Sequence, residues 1–165
     1  MAGKKNRKES EIAIDALKEL FLLNLLPNFE LEYLSPEAEK LKKAYLHDRI
    51  KHKYAEFLQI LARKTSDTVE NSKKNAIRIL GELAITKVEA RRTIIGLIVN
   101  KLGDPIQAVP TMTILTLNNL YKRRRDTLKI VVGELNKFLF RKNLSIKAKF
   151  YGIVMLNSLK LRSAE

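Results

Sequence analysis

Apolar residues recur three and four apart through Ile94, Ile95, Leu97, Ile98 and Leu102, the spacing of one helical face. Gly103-Asp104-Pro105 then predicts a stop and a restart. Glycine suits the positive-φ position after a helix end, aspartate can cap the next helix, and proline fits its first turn. Ten, thirteen and sixteen residues beyond Asp104 stand Ile114, Leu117 and Leu120. The same offsets from Asp67 reach Ile77, Leu80 and Leu83, and from Asn143 they reach Ile153, Leu156 and Leu159.

The three origins are 37 and 39 residues apart, slightly below the roughly 40–47 typical of HEAT and armadillo units. The pattern predicts an all-α fold, a HEAT/armadillo-like α-solenoid of about three αα-hairpin repeats plus N-terminal helices. An unrepeated helical bundle is the alternative, because any amphipathic helix spaces its apolar residues this way. Six residues past each origin stand Lys73, Pro110 and Lys149, and Pro110 predicts a kink or a late helix start. The expected core is Leu80, Leu83, Leu97, Leu102, Leu117, Leu120, Phe138, Leu156 and Leu159.

In chain order, residues 1–9 read as a basic flexible tail carrying Lys4, Lys5, Arg7 and Lys8, and residues 10–165 as the solenoid. Ser10 can cap a helix that Pro27 ends, apolar on much of its circumference. After a connector, Ser35-Pro36-Glu37 signals a helix running to about Lys64. Its polar middle, His47 to Lys53, leaves room for a bend. The repeat units span about 49–86, 88–121 and 126–161. No sustained period-two alternation suggests a strand.

Charge changes this picture more than composition does. The 165 residues carry +14, with 17 Lys/Arg against 14 Asp/Glu in residues 1–90 and 15 against 4 in residues 91–165. Such a surplus repels itself unless a polyanion neutralises it, so nucleic acid or an acidic protein is the expected partner. A well-solvated basic surface is the plain alternative. The absence of cysteine excludes disulfide and thiolate chemistry. The two histidines, His47 and His52, do not share a helical face, which argues against a metal site. Glycines never take a phosphate-loop spacing, and no nucleophile–base set is apparent. Neither catalysis nor a cofactor is expected. No apolar run is long enough to span a bilayer, so no membrane association is expected.

The basic clusters are the candidate functional residues. Lys122, Arg123, Arg124 and Arg125 fall between units two and three, and Lys87, Arg91 and Arg92 fall at the equivalent place between units one and two. Equivalent loops of a solenoid stack along one edge, so these seven predict a row of positive charge. Arg141, Lys142, Lys147 and Lys149 form a second cluster at the turn inside unit three. Such residues neutralise phosphates in a salt-sensitive, largely sequence-independent way, and arginine also stacks on exposed bases. A nuclear import signal or a solvated loop would also account for the four-residue run. Tyr121 beside it could stack a base or pack internally.

Four blocks carry a family resemblance. They are Ala16-Leu17-Lys18-Glu19-Leu20-Phe21 with Asn24-Leu25-Leu26-Pro27, Lys53-Tyr54-Ala55-Glu56-Phe57, Val99 to Pro105, and Phe138 to Ser145 with Ala148-Lys149-Phe150-Tyr151. In this order they resemble the nucleolar complex protein 1 family, also called CCAAT-binding-factor or maintenance-of-killer related proteins, over roughly residues 13–160. The resemblance implies a non-enzymatic helical-repeat factor of the nucleus and nucleolus. It would bind precursor ribosomal RNA in pre-60S particles, with a related nucleolar complex protein and other assembly factors as partners. Members are usually far longer, so the chain resembles an excised segment or a reduced member. A CCAAT-type DNA-binding transcription factor and a HEAT-type adaptor for acidic partners are the competing readings.

Overall fold

The computed structural model describes residues 2–31 and 41–163. Its described residues form seven α-helices and no strand: α1 (Ala2–Leu20), α2 (Leu41–Lys64), α3 (Glu70–Thr86), α4 (Arg91–Val99), α5 (Ala108–Arg123), α6 (Leu128–Leu139) and α7 (Ile146–Ser163). The all-α expectation holds. Helix α1 ends in a π-helical turn, Phe21–Leu25, and short 3-10 turns occupy Asn100–Gly103 and Arg125–Thr127.

The helices follow the apolar spacing. α3 packs against α2, α4 and α5; α4 packs on α6; α7 packs on both α5 and α6. Gly81 of α3 lies close to α5, where a Cβ would stand 2.4 Å from Thr116 Cγ2, so the crossing depends on the missing side chain. α1 lies over α2 and α3: Phe21 stacks on Phe57 and tilts onto Tyr54, and Lys18 pairs with Glu82 at 3.3 Å. Leu80, Leu83, Leu102, Leu117, Leu120, Phe138 and Leu159 are buried as expected, while Leu97 and Leu156 are only half-buried. Ile77 is buried, Ile114 half-buried and Ile153 exposed, so the repeat loosens toward α7. In α2, Tyr54, Phe57, Leu58 and Leu61 are buried but Tyr45 is exposed.

Several local expectations are corrected. The segment read as a basic tail is helical from Ala2, because its Lys, Arg and Glu residues favour helix and no proline interrupts them; Ser10 therefore lies inside α1. α2 runs unbroken through its polar middle, where His52 Nδ1 bonds the Asp48 carbonyl oxygen at 2.8 Å. Ser35-Pro36-Glu37 lies outside the described residues.

The Gly103 turn forms where expected but not as expected. α4 tightens into a 3-10 turn and leaves through Asp104 at φ −66°, ψ 137°, so Gly103 needs no positive φ. Pro105 sits in an exposed bend before α5, and Pro110 occupies the first turn of the late-starting helix, where a missing N–H breaks no helical bond. Asp104 Oδ1 accepts the Ile106 N–H at 3.0 Å, matching Asp67 Oδ1, which accepts the Val69 N–H at 3.2 Å. That backbone donor, helped by the Ser72 hydroxyl and Arg7, holds the Asp67 carboxyl below its usual range against the opposing effect of burial. Asn143 does not take the third such place. There the cap is Ser145, whose Oγ accepts the Ala148 N–H at 3.2 Å.

Candidate nucleic-acid interface

The described loops gather along two edges, and basic side chains tie successive loops together. On the edge between units, Lys87 Nζ donates to the Leu26 carbonyl at 2.5 Å, and Arg124 Nε donates to the Ile85 carbonyl at 2.8 Å. Both acceptors close the C-terminal end of a helical segment, where carbonyls lack helical partners and a cation is favoured. Ala90 adopts the left-handed conformation (φ 53°) just before α4. From the first turn of α4, Arg91 directs Nε to the Ala84 and Lys87 carbonyls at 2.9 and 3.2 Å, and Nη1 to Asp126 at 2.9 Å. Glu89 is buried beside them, accepting the Leu31 N–H at 2.7 Å with Lys51 at 3.7 Å.

The edge formed by the turns within units repeats the scheme. Lys73 Nζ donates to Asp104 at 2.7 Å, Lys101 Nζ to Ser66 Oγ at 2.8 Å, and Arg141 Nη2 to Asn100 Oδ1 at 2.6 Å. Arg141 also lies over the Phe138 ring, 5.5 Å from its centroid. Burial lowers the Lys101 ammonium pKa, with Asp104 opposing and Lys73 adding to the effect.

The eleven candidate residues therefore divide. Lys87 and Arg91 are buried in structural bonds, and Arg124 is half-buried in one. Arg141 is exposed but committed to Asn100 and Phe138. Arg92 is exposed, with Glu134 3.8 Å away. Lys122, Arg123, Arg125, Lys142, Lys147 and Lys149 are exposed. The expected row of charge between units is thus interrupted: its first loop turns inward, and free charge concentrates in the second. Tyr121 is buried, which settles it as a packing residue.

Sequence reasoning missed Glu89, gave Lys101 no role beyond its place in the Val99–Pro105 block, and noted Lys73 only as a repeat position. One signal was available, since Lys87 and Arg124 are separated by the same 37 residues as Asp67 and Asp104. A cleft of about 530 Å³ opens between α2 and α4, lined in part by Tyr54, Leu58, Glu89 and Thr93. Tyr54 is fully buried there, and its hydroxyl has no hydrogen-bond partner among the described residues. Burial, then the Glu89 charge, raises its pKa well above the ordinary value. Among the described residues, no His, Cys, Asp or Glu cluster is placed to hold a metal ion, and no helix is long and apolar enough to cross a membrane.

No family model matches the chain. It is 31% identical to human "CCAAT/enhancer-binding protein zeta" in a 179-residue alignment covering 98% of this chain and 17% of that protein. It is 28% identical to Drosophila melanogaster "Nucleolar complex protein 1" over 130 residues, 78% of this chain and 11% of that one. It is 29% identical to Chaetomium thermophilum "Ribosome biogenesis protein NOC1" over 132 residues, 76% of this chain and 13% of that one. The chain spans about one sixth or less of the length of these relatives. Over the aligned region it is a homologue of the nucleolar complex protein 1 and CCAAT/enhancer-binding protein zeta family.

Proposed function

We propose that this chain is an α-solenoid segment of a non-enzymatic ribosome biogenesis factor that contacts precursor ribosomal RNA during large-subunit (60S) assembly. The relatives point to the nucleus and nucleolus. Helical hairpins whose loops are tied to the preceding unit on both edges support the solenoid reading over an unrepeated bundle. The observation that carries RNA contact is the second inter-unit loop. There Lys122, Arg123 and Arg125 are exposed, and the adjacent acid, Asp126, is taken by Arg91. A short arc of exposed cations at the C-terminal end of α5 suits phosphates of irregular RNA better than base edges in a groove, which a helix reads with its N-terminal residues. The human relative's name keeps a DNA-binding role as the second reading, and pre-60S assembly factors are the protein partners proposed.

Replacing Lys122, Arg123 and Arg125 with glutamine should leave folding unchanged and weaken binding to structured ribosomal RNA. The slope of log affinity against log salt should become shallower by about 2–3, since each lost phosphate contact contributes roughly 0.7–0.9. Arg124→Gln, which removes a bond to α3, should lower stability without a comparable change in slope. An unchanged slope in the triple variant removes this loop from the RNA surface, and loss of nuclear import alone would mark it as an address. Preference for duplex DNA over ribosomal RNA would favour the second reading.

A further inference from the structure

α7 is apolar on two faces. One face packs inward through Ala148, Met155 and Leu159. The other exposes Ile146, Phe150, Ile153 and Val154, at 87%, 61%, 52% and 37%, and the turn before it exposes Phe140 at 86%. Ile146, Phe150 and Ile153 fall within about 60° of arc at 100° per residue, with Lys147 and Lys149 on opposite flanks. Neither lysine has an ion-pair partner among the described residues. Between Glu134 and Glu165 the chain has seven Lys/Arg and no acid.

We propose that this face of α7 docks an amphipathic helix of another protein, whose apolar stripe is bordered by carboxylates. The stripe has the i, i+4, i+7 geometry that a partner helix reads, and exposed apolar residues grouped this way mark an interaction surface. The flanking lysines set the sign of the partner. A second copy of this chain would bring another +14 to a basic patch, so self-association is opposed by charge. RNA does not need the stripe, because phosphate recognition gains nothing from Ile146 or Ile153. This surface uses different residues from the Lys122–Arg125 loop, so the two proposals fail separately.

The test uses the whole 165-residue chain and a synthetic 18-residue helical peptide with leucines at i, i+3, i+4 and i+7 flanked by glutamates. Controls are the same peptide with lysine for glutamate and a scrambled peptide of equal negative charge. Fluorescence anisotropy should show binding of the acidic amphipathic peptide, about tenfold or more above either control. Ile146→Ser with Phe150→Ser should weaken it by about tenfold or more, with only a small fall in the thermal melt because both side chains are largely exposed. Lys147→Gln with Lys149→Gln should weaken it severalfold and flatten its salt dependence. RNA affinity should be unaffected by the two serine changes. The proposal is overturned by no binding at millimolar peptide, by equal binding of the scrambled peptide, or by indifference to the serine changes. Sedimentation showing self-association that Phe150→Ser abolishes would also overturn it, assigning the face to a second copy.

Discussion

Lys73→Ala is expected to lower stability by about 3–5 kcal/mol, toward the lower end, because it leaves the Asp104 carboxylate buried without its cation. The pair is 2.7 Å apart, with side chains only 9% and 6% exposed. It joins α3 to the turn between α4 and α5, so losing it loosens the packing of one helical pair on the next. The Ile106 N–H and the nearby Lys101 charge remain to Asp104, which limits the damage. Lys73→Met combined with Asp104→Asn removes both charges at similar volume and should recover a substantial part of the loss. Urea unfolding of the single and double variants gives the coupling directly. A loss below about 1 kcal/mol for Lys73→Ala would mean that the pair is solvated and contributes little.

Ile77→Ala should destabilise by about 2–5 kcal/mol, whereas Ile153→Ala should change stability by no more than about 0.5 kcal/mol. The two isoleucines hold the same place in the repeat, ten residues after Asp67 and Asn143. Ile77 is fully buried between helices, so its truncation leaves a cavity. Ile153 is half in solvent, and its truncation leaves none. Equal losses at the two sites would show that something covers the outer face of α7 in the isolated chain.

The contrast marks what could be read from the sequence. Apolar spacing located α3 to α7 to within a few residues, because burial of one face dictates a 3.6-residue period wherever the neighbour lies. It could not distinguish a face covered by the next helix from one left open, since Ile77 and Ile153 satisfy the same pattern. Turn position was legible in Gly103-Asp104-Pro105, while turn geometry was not. Among the described residues the left-handed one is Ala90, and Gly103 closes a 3-10 turn. Charge was legible only as a count. Lys87, Arg91 and Lys122 are equivalent in composition, yet the first two donate to buried carbonyls and the third faces solvent. A donor's partner is set by which helix end stands opposite, and that is decided by tertiary packing.

The buried phenol of Tyr54 gives the chain an optical reporter of its own. With no tryptophan and five tyrosines, its near-ultraviolet absorbance above pH 10 is dominated by phenol ionisation. Tyr54 keeps its proton while the chain is folded, whereas in the unfolded chain it ionises near the ordinary value of 10.0. Below that pH the group is neutral in both states and contributes no pH dependence. Between that value and the raised folded one the unfolded state gives up the proton more readily, so alkali draws the equilibrium toward unfolding. The last increment of tyrosinate absorbance then rises together with the loss of helical dichroism, and an alkaline titration records unfolding around Tyr54 without an added label.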